Sequence, residues 1–242
     1  MLRFASNRDA TVRLDATHAL YCCAGEPASP DAIDALIRLS ADPDDAVRDW
    51  ATFGLGTRLD ADDGDVRAAL LERLSDGYLD VREEAAVGLA RRGDPRAFEP
   101  VRALLDADEV STLTVEAAGY LADERLLRPL LELGEWWEDD SDLLTLAIAS
   151  CDPAARERLD ERTGMLVELI EDAFDEPGPA STLDGVTAGR SSRELGSTLT
   201  VHWTDPDGVQ RGATWSIEAL LARPDVQNDV ERAAAAVLSD IS

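Results

Sequence analysis

The sequence predicts an all-α solenoid of four to five helix pairs, followed by a small C-terminal β-hairpin-plus-helix module. Three observations carry this reading. An Asp-(x)-Val-Arg signature with small residues behind it recurs at Arg13, Arg48 and Arg82, spacings of 35 and 34 residues. Apolar residues inside each copy fall at i, i+4 and i+8, one stripe of a helix. Near residue 199 the apolar period changes to two, which is the mark of a half-buried strand.

The first helix of each unit is read from its copy of the signature. The copies run Asp9, Val12, Arg13, Ala16, Ala19, Leu20; Asp45, Val47, Arg48, Ala51, Gly54, Leu55; and Asp80, Val81, Arg82, Ala85, Gly88, Leu89. Weaker copies begin at Leu113 and Leu143. The leading Asp suits the orphan N–H groups and the positive dipole end of a first turn. Small residues behind it let a neighbouring helix approach closely. The stretch DPDDAVRDWATFGLG at 42–56 is therefore structural: its glycines align with helical small residues, and no strand precedes it as a phosphate loop requires.

A second helix follows in every unit, at 31–39, 65–74, 94–105 and 123–133. The expected core triplets are Ile33, Leu36, Leu39; Ala68, Leu71, Leu74; Phe98, Val101, Leu104; and Leu127, Leu130, Leu133. Pro100 and Pro129 occupy equivalent places and must bend or start their helices. Residues 153–174 read as a helix broken near Thr163-Gly164, and 176–197, rich in Gly, Pro, Ser and Thr, as a linker or loop. Strands are expected at 199–203 and 209–217 around the turn Asp205-Pro206-Asp207-Gly208, then two short helices. The domain reading is thus 1–175 solenoid, 176–197 linker, and 198–242 cap or appended module.

The phrases DVREEAAVGLARRGDPRAFEPVRALL and DDAVRDWATFGLG resemble HEAT-like repeats, especially the short form of phycobilisome-lyase-type repeat proteins, over about residues 9–151. The resemblance implies a right-handed stack of antiparallel helix pairs, with first helices convex and second helices concave. The family consists mostly of scaffolds, with a few enzymes. Each pair alone exposes an apolar face that only the next pair can cover.

Composition narrows the function. The formal charge is −27, from 50 acids and 23 bases, and every base is Arg. Such acidity suits a salt-adapted or high-GC bacterial background and a soluble monomer. It argues against nucleic acid and anionic membrane partners, which need clustered bases. Cys22, Cys23 and Cys151 form no CxxC pair and fit reduced thiols of a cytoplasmic protein. There is neither a signal-peptide pattern at the first residues nor a membrane-length apolar run.

Sequence offers no catalytic constellation, metal site or cofactor site. His18 and Cys22 are four apart on one helix without a third orienting group. The Asp60–Asp65 cluster has Gly64 out of EF-hand register, and Glu138, Asp139, Asp140 and Asp142 read as a solvated loop. Partner-binding candidates are Arg38, Arg73, Arg102 and Arg128, a row along successive second helices suited to a carboxylate-bearing segment, or alternatively to ion pairs with neighbouring acids. Trp50, Trp136 and Trp137 are the aromatic candidates, with burial as the alternative. Trp50 stands where other units carry Asp15, Glu84 and Glu116. The expected function is a non-catalytic scaffold binding another protein or peptide. A tetrapyrrole chromophore lyase or isomerase is the alternative that the resemblance raises, and a DNA-repair-type solenoid is a further one that the charge opposes.

Overall fold

A computed structural model of the chain describes residues 1–25, 27–137, 142–175, 182–190, 195–221 and 229–241. These residues are mostly helical, with a small three-stranded antiparallel sheet towards the C-terminus. They form two compact units, Met1–Cys151 and Asp152–Ser242.

The first unit is built from helix pairs. First helices are α1 (Ala10–Cys22), α3 (Asp45–Phe53), α5 (Leu79–Arg91), α7 (Thr112–Leu121) and α9 (Leu143–Cys151). Second helices are α2 (Pro30–Leu39), α4 (Gly64–Arg73), α6 (Phe98–Leu105) and α8 (Leu127–Leu133). Each first helix packs on the next one in line, α1 on α3, α3 on α5, α5 on α7 and α7 on α9. Val47, Ala51, Val81, Ala85, Val115 and Ala117 are fully buried in this stack.

Capping follows the chemistry rather than the expected register. Asp9 and Asp44 cap α1 and α3 by accepting from the Thr11 and Val47 amides. Asp45 and Asp80 lie one and two residues inside, in the first turns of α3 and α5, and Tyr78 occupies the α5 cap without a side-chain bond. Pro100 and Pro129 sit third in α6 and α8, after short 3₁₀ turns at Pro95–Ala97 and Glu124–Leu126. They start these helices rather than bend them, because amides of the first turn have no intrahelical partner to lose. The two connections match: Gly93 and Ala122 are both left-handed (φ 60° and 49°), and Asp94 and Asp123 each hold the guanidinium two residues on.

The core triplet in the second helix pair is shifted. In α4 the buried residues are Val66, Ala69 and Leu70, whereas Ala68 is exposed and Leu71 and Leu74 are half-buried. A core-facing helix buries a wide stripe, and a three-residue count picks one edge of it.

After α3 the chain makes a π-helical turn, Gly54–Arg58, which leaves carbonyls without helical partners. Two consecutive arginines at the end of α5 collect them. The buried Arg92 guanidinium donates to the carbonyls of Leu55, Gly56, Leu59, Ala61 and Gly88, and Arg91 to those of Gly56 and Thr57. Here Gly56 meets Gly88 backbone to backbone: a Cβ on Gly88 would stand 2.6 Å from Gly56 Cα.

The second unit begins with α10, which runs unbroken from Pro153 to Asp175. Gly164 therefore does not break it. Its position is open, with nothing within 4 Å of where a Cβ would stand, and one glycine costs a long helix only about 1 kcal/mol. The sheet orders β1 (Thr182–Arg190), β2 (Ser197–Thr204) and β3 (Gln210–Ser216). β1 thus lies in the segment read as a linker; its Gly and Thr content weakens the strand signal, and antiparallel pairing with β2, the next strand in sequence, holds it. α11 (Ile217–Leu221) and α12 (Asp229–Ile241) complete the unit. Leu199, Val201 and Trp203 alternate inward onto Leu166 and Ile170 of α10 and Val230, Ala234 and Val237 of α12. The sheet thereby gains the partner surface that a hairpin lacks on its own.

Candidate functional site

The signature arginines build the connections between successive helix pairs of the first unit. Arg13 of α1 grips Asp42 through two bonds of 2.7 Å, and Arg48 of α3 grips Asp76 at 2.9 and 3.0 Å. Each also reaches back to the loop before its own helix: Arg13 donates to Asn7 O, Arg48 to Asp42 O and Arg82 to Asp76 O. Asp42 and Asp76 in turn accept from the Asp44 and Tyr78 amides. The ladder is structural: forked guanidinium–carboxylate pairs fix the offset of consecutive loops. The 34-residue spacing of Asp42 and Asp76 was the sequence signal for it.

The four candidate arginines fare differently. Arg102 pairs with Asp106 (3.1 Å) and Arg128 with Glu132 (2.8 Å), both one turn on along the same helix. Arg73 is folded back to donate to Ser40 O, with Glu72 beside it at 3.4 Å. Arg38 is exposed on α2 and borders a groove of about 380 Å³ between α2 and α4. Asp34, Asp65, Ala68 and Glu72 share that border, so its charge is mixed with acids in excess.

Of the tryptophans, Trp50 is 38% exposed and stands against His18, Tyr21 and Phe53, edge-on to His18 and Phe53 with ring centroids 4.7 and 5.5 Å away. Trp137 is half-buried and donates from Nε1 to Val110 O at 3.1 Å. Trp136 is 56% exposed. Glu138, Asp139 and Asp140 lie outside the described residues; among those described, no group of His, Cys, Asp and Glu is arranged to hold a metal ion. In the Asp60–Asp65 cluster, Asp62 pairs with Arg67 and Asp63 caps α4. No helix of the described residues is long and apolar enough to cross a membrane.

Sequence reasoning missed a group of acids between the first helices. Asp49 of α3, Glu84 of α5 and Glu116 of α7 all have carboxyls raised by burial. Glu84 is pushed up to about 8 by burial first and by Asp49, Glu116 and Glu83 after it, and Asp49 to about 6 by burial, Asp80 and Asp45. Glu83 turns the other way and accepts from the hydroxyls of Ser111 (2.6 Å) and Thr114 (3.0 Å). The signal available was that Glu84 and Glu116 share the position of Trp50, a place that in one unit takes a large apolar ring.

Ladder, helix pairs and left-handed loop corners are the features of a helical repeat, and residues 38–122 match the family of HEAT repeats. Among known proteins it is similar to Protein YibA of Escherichia coli strain K12, with 37% identity over 116 residues, 48% of this chain and 41% of the relative. The YibA of Escherichia coli O157:H7 matches to the same extent. A crystal structure of the E. coli YibA protein superposes with a TM-score of 0.52 at 31% identity, covering 61% of this chain and 50% of that one. The chain thus spans about two fifths of the length of the curated relatives it matches.

Proposed function

We propose that the helical unit is a non-catalytic scaffold, stacked as a solenoid, whose α2–α4 groove receives a segment of a partner protein. The groove with its exposed Arg38 carries this reading. Arg102, Arg128 and Arg73 are committed to their own chain, so the row of four anchors contracts to one guanidinium among Asp34, Asp65 and Glu72. Such a border suits a segment bearing bases, with a carboxylate set against Arg38. Rigid repeats supply the surface without an ordering cost on their side. In this reading the protein acts as a cytoplasmic monomer. The test is capture from an extract of the native host by the wild-type chain and by Arg38→Glu/Ala68→Arg, followed by mass spectrometry. A partner held by the first and lost by the second supports the groove; equal capture by both removes it.

A further inference from the structure

Glu84 lies in the middle of the first-helix stack and is 9% exposed. Of the elements packed on α5, α3 contributes Asp49 and α7 contributes Glu116, and Glu83 is its neighbour on α5 itself. The π turn contributes the Thr57 hydroxyl, which stands 3.3 Å from Glu84 Oε2. α4 and α6 turn their bases elsewhere, Arg67 to Asp62 and Asp94, Arg73 to Ser40 O and Arg102 to Asp106, and Arg58 of the π turn is exposed. Arg91, at the end of α5, is spent on Gly56 O, Thr57 O and Asp60. Among the described residues no guanidinium forms an ion pair with Glu84. Its own backbone carbonyl abuts Gly56, where a Cβ would stand 3.0 Å away, so there is no slack beside it.

We propose that Glu84 is a neutral carboxylic acid at the seam of α3, the π turn, α5 and α7, and a pH-sensitive latch that loosens this seam when it ionises. A charged Glu84 would be desolvated, faced by the carboxyls of Asp49 and Glu116 and held by one hydroxyl. The ways to relieve that are to admit water or to part the helices. The sign follows: the folded chain holds a proton that the unfolded chain releases at an ordinary Glu value. Stability conferred by the neutral acid is therefore complete below the ordinary Glu value and is lost as pH rises from there to about 8. Asp49 adds to the loss over a lower range, up to about 6.

The test compares urea midpoints of the wild-type chain and Glu84→Gln across a pH series from about 5 to about 9. The wild-type midpoint should fall as pH rises, and the variant, isosteric and uncharged, should lose most of that fall and be the more stable of the two at the alkaline end. Parallel profiles for the two proteins overturn the proposal, because the general charge of the chain is nearly the same in both. Should the variant fail to fold, a carbon-13 titration of the Glu84 side-chain carboxyl in the wild-type protein decides. A midpoint well above the ordinary carboxylate range supports the latch, and one at the ordinary Glu value refutes it.

Discussion

Replacing Gly88 by Ala tests the closest contact of the stack. The added Cβ would stand 2.6 Å from Gly56 Cα and 3.1 Å from Leu70 Cδ1. The leucine end can swing away; the Gly56 backbone cannot, since its carbonyl is pinned by both Arg91 and Arg92. Ordinary contact begins near 3.4 Å, so the π turn and α5 must part by roughly 0.8 Å in a close-packed interior. Overpacking of this kind costs about 1–3 kcal/mol. Alanine's better helix propensity returns about 1 kcal/mol. The net loss is up to about 2 kcal/mol, a fall in Tm of up to roughly 8 °C. Gly64→Ala is the control, in the same unit at a helical position with nothing within 4 Å, and should gain about 0.4–1 kcal/mol. Thermal melts of the two variants beside the wild type make the comparison. If Gly88→Ala melts above the wild type, rising as Gly64→Ala does, the backbone approach of Gly56 and Gly88 is wrong.

Other substitutions probe other joints. Arg92→Met should cost about 3–5 kcal/mol in denaturant unfolding, because the buried carbonyls of the π turn lose their donor. Ala122→Gly should raise stability by about 0.5–1 kcal/mol, since Ala122 holds φ 49° where its counterpart Gly93 holds 60° without a Cβ penalty. Asp94, held down to about 2 by the hydrogen bond from the Arg96 side chain, contributes stability that is present above its unfolded value and lost as pH falls from about 4 to about 2; acid titration of Asp94→Asn should lack on the order of 1–2 kcal/mol of that loss. In the C-terminal unit, Ile170→Ala should cost about 2–5 kcal/mol, as this fully buried side chain seats the sheet on α10.

The repeat was legible because its determinants are local. Val47-Arg48 and Val81-Arg82 recur with the small residues Ala51 and Ala85, and helical periodicity needs only one turn of context. Features that need a partner outside their own segment were not. β1 is a Gly- and Thr-containing segment that becomes a strand only against β2, and a single glycine at 164 looked like a break although α10 runs through it. The candidate arginines were placed on second helices correctly, yet the acids one turn away, Asp106 and Glu132, claim two of them. Arg92 and Glu84 carry no local signal. One is read only from the carbonyls that a π turn liberates, the other only from two neighbouring helices that each bring a further acid.

Photo-crosslinking bears most directly on the proposed binding role. A benzophenone side chain placed at exposed position 68, in the α2–α4 groove, would be compared with one at exposed position 15 on α1, in chains expressed in the native host. The account predicts a defined adduct from position 68, abolished when Arg38→Glu is added, and none of the same mass from position 15. An adduct from position 15 alone, or one from position 68 that ignores Arg38→Glu, would contradict it.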